Sequence, residues 1–140
     1  VALSDDSQLN DVDYARIADF RHALRRFLFF SEQAAAKESL KPQQHQALLV
    51  IRGRPAGTTT VGDLAERLCV KHHTAVGLVQ RLEMAGLVDK TPHAHDRRVM
   101  VLQLTAEGSA RLERLTKAHR AELKHLGPEI QSLLTTLDRS

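Results

Sequence analysis

Apolar residues recur at steps of three and four from Asp13 to about Lys37, where Ile17, Phe20, Leu24, Phe27 and Leu28 predict one long amphipathic helix. Pro42 suits the first turn of a second helix, through Ala47, Leu48 and Ile51, which Gly53 ends. The stretch Gly53-Arg54-Pro55-Ala56-Gly57 reads as a loop, and Thr58-Thr59-Thr60 as a possible short strand. Thr60 followed by Asp63 resembles an N-cap with an acid in the first turn, opening a helix from Val61 to Leu68. A fourth helix runs from about His72 to Ala85 and stops at Gly86.

Beyond Gly86 the pattern changes. Leu87-Val88-Asp89-Lys90 and Val99-Met100-Val101-Leu102-Gln103-Leu104 are two β-prone runs around a charged tip, which predicts a hairpin. Thr105 then caps a charged helix to about His125, Gly127-Pro128 is expected to break it, and a last helix carries Ile130, Leu133, Leu134 and Leu137. The expected order is α-α-α-α-β-β-α-α, a mainly α fold with one small β-hairpin. Tyr14, Phe20, Phe27, Phe29 and Phe30 all lie in the first helix. That is a surplus of apolar surface for the edge of a small domain, and it points to a partner chain.

Residues 61 to 80 fit a helix-turn-helix, in which two short helices cross at a steep angle and need apolar residues at fixed steps. Leu64, Leu68, Val70, Ala75 and Leu78 fill those positions, and Ala65 is the small residue at the crossing. Lys71, His72, His73, Val76, Gly77 and Gln80 are left facing outward, where a recognition helix reads base edges. The hairpin tip holds Lys90, His93, His95, Arg97 and Arg98 against one acid, Asp96. A basic hairpin after a recognition helix is a wing that can lie along phosphates or enter a minor groove.

Three stretches resemble the MarR (multiple-antibiotic-resistance regulator) family: Val61 to Leu68, Leu78 to Val88, and Asp96-Arg97-Arg98 followed by Leu102-Gln103-Leu104-Thr105-Ala106-Glu107-Gly108. The resemblance covers nearly the full length. It departs from the family's pattern at Lys71, Val76 and Gly77. It implies a winged helix-turn-helix fold and a homodimer formed by interlocking N- and C-terminal helices. It also implies an inverted-repeat (palindromic) operator on double-stranded DNA, released by a small ligand. The expectation is a single domain over 1–140, with 1–37 and 106–140 as dimerisation helices and 41–104 as the DNA-binding lobe. The residues expected at DNA are Lys71, His72, His73, Thr74, Val76, Gly77, Gln80, Arg81, His95, Arg97 and Arg98, with Asp96 positioning the wing by an ion pair to Arg98 or Arg81. Arg97 is expected on the opposite face of the strand.

The small effector is expected to be aromatic or phenolic. Arg26 and Phe30 are four apart on one helix face beside Phe27, and His45 opens the second helix, a set that suits an aromatic carboxylate or acyl thioester. Composition narrows the remaining classes. The net charge of +3 and pI near 9.4 permit a polyanionic partner. The single cysteine, Cys69, forms no intrachain disulfide and is expected to be a small turn residue in a reducing cytoplasm. Eight histidines raise a metal-responsive alternative, but His93/His95, His72/His73 and His119/His125 do not converge as zinc requires, so no metal and no cofactor are expected. A second alternative is a dimeric interaction protein that has lost DNA binding. No phosphate loop, nucleophile elbow or carboxylate pair suggests an enzyme. Val1 to Asn10, with Asp5 and Asp6, lacks the order of a secretion signal, and no apolar run suggests a membrane span.

Overall fold

A computed structural model describes residues 8–138 of the chain; the side chain of Leu137 lies outside the described residues, as do Val1 to Ser7. The elements are α1 (Asp11–Lys37), α2 (Pro42–Gly53), α3 (Val61–Leu68), α4 (His72–Met84), β1 (Val88–Pro92), β2 (Met100–Leu104) and α5 (Ala106–Leu137). They form two compact units, and α1 and α5 each contribute to both.

The first unit, Glu32–Ala118, holds the helix-turn-helix and the hairpin. Its core gathers Leu48, Leu64, Leu82, Leu87, Leu102 and Leu115, all essentially without solvent exposure. Each such leucine contributes ~1.5–3 kcal/mol relative to an exposed one. Glu38 accepts two bonds from Arg114, at 2.8 and 2.9 Å, and its carboxyl is held below the ordinary range chiefly by that guanidinium. The two strands pair antiparallel in the register Val88↔Leu104 to Pro92↔Met100.

The ends of the helices are closed in ways the residue types dictate. At the start of α3 the Asp63 N–H donates to Thr60 Oγ1 (3.1 Å) while Asp63 Oδ2 accepts from the Thr60 N–H (2.9 Å). The Thr60 N–H bond is the main reason the Asp63 carboxyl sits below its usual value. α4 ends on Gly86 at φ +73°, with the Gly86 N–H on the Glu83 carbonyl and the Leu87 N–H on the Leu82 carbonyl. α3 ends the same way, but Cys69 (φ +55°) occupies the left-handed position that Gly fills in α4. Its N–H reaches the Glu66 carbonyl and the Val70 N–H reaches that of Ala65.

Two expectations are corrected. Thr58-Thr59-Thr60 forms no strand: the sheet has two strands, and the Thr59 carbonyl accepts a single bond from the Leu102 N–H at 2.8 Å. Nor do Gly127 and Pro128 divide the last helix, since α5 runs unbroken through both. Proline disfavours a helical predecessor because its ring strikes that residue's Cβ, and glycine has none. The helix forgoes one N–H bond at Pro128 and continues.

The second unit comprises residues 8–31 and 119–138. Here α1 and α5 are tied by Arg16 Nη1 donating to the Thr136 carbonyl (3.1 Å) and by the Arg26–Glu129 ion pair. Ala23 and Leu126 are buried. Much of its remaining apolar surface is not: Val12, Tyr14, Ile17, Leu28, Phe29 and Leu134 are each about half exposed or more.

Candidate nucleic-acid interface

The recognition element is set by a two-faced α4. Ala75, Leu78, Val79 and Leu82 are buried in the lobe, whereas Lys71, His72, His73, Gln80 and Arg81 are exposed and Thr74, Val76 and Gly77 half-buried. The outward positions expected from the sequence therefore share the side of one helix turned away from the core, some exposed and some half-buried. Lys71 stands at the N-cap and supplies no side-chain acceptor. Glu83 of the same helix is engaged by Lys90 of β1 at 3.2 Å, a contact between helix and hairpin that spacing alone did not suggest.

The wing tip spans the residues between the strands. The His93 N–H donates to the Val99 carbonyl (2.7 Å) and the His95 N–H to His93 Nδ1 (3.0 Å). Asp96 pairs with Arg98 and not with Arg81: Oδ1 accepts from Arg98 Nε and from the Arg98 N–H, both at 3.1 Å, and Oδ2 accepts from Nη2 at 3.3 Å. These bonds hold the Asp96 carboxyl below the ordinary range. Arg98 remains 91% exposed, so the pair orients the guanidinium without consuming it. Arg97 lies in the tip and is also exposed. The expected assignment of Arg97 to the far face of a strand does not hold, because β2 begins only at Met100.

The base of the wing is locked to the first turn of α5. Thr105 Oγ1 donates to the Gly86 carbonyl (2.6 Å) and accepts from the Gly108 N–H (3.1 Å), while the Thr105 N–H donates to the Leu87 carbonyl (3.0 Å). The Leu-Thr-x-x-Gly run of the sequence is thus the fastening of α5 to the end of the recognition helix.

The residues suggested for an effector are distributed differently. Phe27 and Phe30 both present ring edges or faces to His119, with centroids 5.9 and 5.4 Å away, and His119 Nε2 is 2.8 Å from Ser31 Oγ. His119 belongs to this cluster although no sequence spacing linked it to α1. Arg26 is half exposed and engaged by Glu129. His45 is buried in the lobe. Among the described residues, no three of His, Cys, Asp or Glu stand together as metal ligands, and no helix is long and apolar enough to cross a membrane.

Residues 39–99 match the model of the MarR family. The winged lobe belongs to the MarR family. MdtR, an HTH-type transcriptional repressor of Bacillus subtilis (strain 168), is 28% identical over 118 residues, 84% of this chain and 72% of the relative. Two solved MarR-like folds superimpose over most of their length. A MepR variant from S. aureus bound to an oligodeoxyribonucleotide gives a TM-score of 0.67 at 19% identity, covering 94% of this chain and 96% of that one. CouR from Rhodococcus jostii RHA1, bound to p-coumaroyl-CoA, gives 0.68 at 19%, covering 94% and 95%. The chain thus carries the winged helix DNA-binding lobe of a MarR-family transcription regulator.

Proposed function

We propose that the chain is a homodimeric repressor that reads an inverted-repeat operator through α4 and the wing, and that a small aromatic or phenolic acid releases it. The observation that carries the DNA reading is the exposed stripe from Lys71 to Arg81, beside a wing whose Arg98 is oriented by Asp96 yet open to solvent. The N-terminal half of such a helix enters the major groove, and Gln80 can pair bidentately with adenine. His72, His73 and Val76 are the further base-edge positions, while Thr74 and the helix-start N–H groups suit phosphate. Arg97, Arg98 and His95 supply wing contacts. The half-exposed apolar surface of α1 and α5 supports a two-fold dimer, which sets two recognition helices ~34 Å apart, one turn of DNA.

The effector reading rests on Arg26, Phe27 and Phe30. An exposed ion pair such as Arg26–Glu129 contributes only ~0.2–1 kcal/mol, so a ligand carboxylate can displace Glu129 at little cost. The rings of Phe27 and Phe30 then offer apolar walls. CouR, which shares the fold, was solved with an aromatic acyl thioester. Release requires that the ligand favour the conformation unable to bind DNA.

The test is fluorescence anisotropy on duplexes selected from a randomised library, with wild type and Gln80→Ala. A preferred inverted repeat is expected, and Gln80→Ala should lose preference at one base pair per half-site at a cost of ~1–3 kcal/mol. Equal weakening on every duplex removes Gln80 from base readout. Titrating aromatic acids into the complex, with Arg26→Ala as control, tests the effector. Indifference of the wild type to every acid, or an unchanged response in Arg26→Ala, removes that site.

A further inference from the structure

Gly77 sits half-buried on the outward side of α4, in the interior of a helix, where glycine is unfavourable relative to alanine because it gives up more backbone freedom. The space beside it is not empty. A Cβ built on Gly77 stands 3.8 Å from Nη1 and 3.9 Å from Nη2 of Arg81. The Arg81 guanidinium therefore lies back along the helix, over the backbone one turn before its own Cα, as helix geometry directs long side chains. Among the described residues Arg81 makes no salt bridge, and the neighbouring acid Glu83 is engaged by Lys90. Five guanidinium donors are thus carried to the middle of the recognition stripe without a protein carboxylate to occupy them.

We infer that Gly77 is a positioning residue for Arg81, and that Arg81, so placed, reads a guanine in the operator. The bare backbone at 77 is what allows the flat guanidinium to lie along the stripe. The acceptor pair it fits is guanine O6 and N7, the commonest bidentate target of arginine in a major groove. This rests on the DNA-binding reading above. It adds that one specificity determinant of the helix is a missing side chain.

The geometry grades the substitutions. Alanine at 77 puts a methyl in ordinary van der Waals contact with the guanidinium and leaves it in place. Leucine or glutamine fills the same volume and evicts it. Both changes favour the helix, so neither is expected to lower the melting temperature.

The experiment is library selection and anisotropy for wild type, Gly77→Ala, Gly77→Leu and Gly77→Gln, each alone and combined with Arg81→Ala, with melting temperatures recorded for all. Gly77→Ala should retain the wild-type preference within about twofold. Gly77→Leu, Gly77→Gln and Arg81→Ala should each weaken the preferred site about tenfold or more and erase preference for guanine at one base pair per half-site. In the Arg81→Ala background the Gly77 substitutions should add no more than about twofold, since the group they evict is already gone. Equal losses from Gly77→Leu in both backgrounds overturn the inference, because position 77 then acts without Arg81. An even loss across all sequences in Arg81→Ala also overturns it, because the guanidinium then meets phosphate. A wild type that selects no sequence refutes the DNA-binding reading itself, an outcome distinct from either.

Discussion

Gly108 lies so close to the Leu87 carbonyl that a Cβ on it would stand 2.2 Å from the oxygen. No side chain fits at that distance, so the first turn of α5 approaches the exit of the recognition helix backbone to backbone. Thr105 bonds to the Gly86 and Leu87 carbonyls from the same turn.

Gly108→Ala should therefore destabilise the lobe by about 1–3 kcal/mol or more, the cost of overpacking a site that cannot give way. Gly62→Ala is the control, since its Cβ would meet only Thr60 Oγ1 at 3.6 Å. It should be neutral or gain up to roughly 1 kcal/mol. Urea unfolding of both variants measures the contrast; equal midpoints would remove the close approach as a constraint.

The α3 cap carries a pH dependence whose sign follows from Asp63. Its folded-state pKa lies below the ordinary 3.8, mainly because of the Thr60 N–H bond. The stability it contributes is present above the unfolded value and is lost as pH falls through the folded one. Asp63→Asn should thus be less stable than wild type at neutral pH, with the gap closing below about pH 4. Thr60→Ala should cost about 1 kcal/mol. A gap that stays constant from pH 7 to pH 3 would show that the carboxylate charge is not involved.

At the wing, Arg98→Ala should weaken DNA binding broadly and reduce the slope of log K against log salt by about one counterion. Asp96→Ala keeps the positive charge of Arg98 but removes the carboxylate and its two-point grip on the guanidinium. It should cost less than Arg98→Ala and leave the slope near wild type. An unchanged slope in Arg98→Ala would place that arginine outside the interface.

The exposed α1 face predicts assembly. Sedimentation at micromolar concentration should give twice the 15.6 kDa chain mass. Ile17→Asp and Phe29→Asp, at positions 49% and 62% exposed in the single chain, should shift the equilibrium to monomer with little loss of lobe stability. A stable wild-type monomer would contradict the dimer.

What the sequence disclosed was whatever local chemistry controls. The Thr60–Asp63 cap, the Gly86 stop, the inward pair Ala75 and Leu78, and the hairpin are written in neighbouring residues. The Gly127-Pro128 expectation failed because both residues were read as helix breakers, whereas the missing Cβ of Gly127 removes a clash that proline makes with its predecessor. The Thr58–Thr60 strand failed because propensity cannot supply a third ladder where only Thr59 meets Leu102. Contacts across many residues were hidden for a plainer reason: nothing in local spacing pairs Arg26 with Glu129, or brings His119 to Phe27 and Phe30. The direction of Arg81 was hidden too, although Gly77 was visible as a gap in the stripe.

The helices differ in how they start. α1 opens on the reciprocal Asn10–Asp13 pair, α2 on the Gln44 side chain accepting from the Lys41 N–H, α3 on Thr60 and Asp63, and α5 on Thr105. α4 opens on Lys71, whose carbonyl accepts from the Thr74 and Ala75 N–H groups but whose side chain accepts nothing. The N–H groups of His72 and His73 keep the partial positive charge that a side-chain acceptor in the first turn offsets at α1, α3 and α5. The recognition helix is in that sense unfinished. An anion that comes to rest against the N–H groups of His72 and His73 completes it, and returns roughly 0.5–2 kcal/mol of order that α1, α3 and α5 carry from their own sequence.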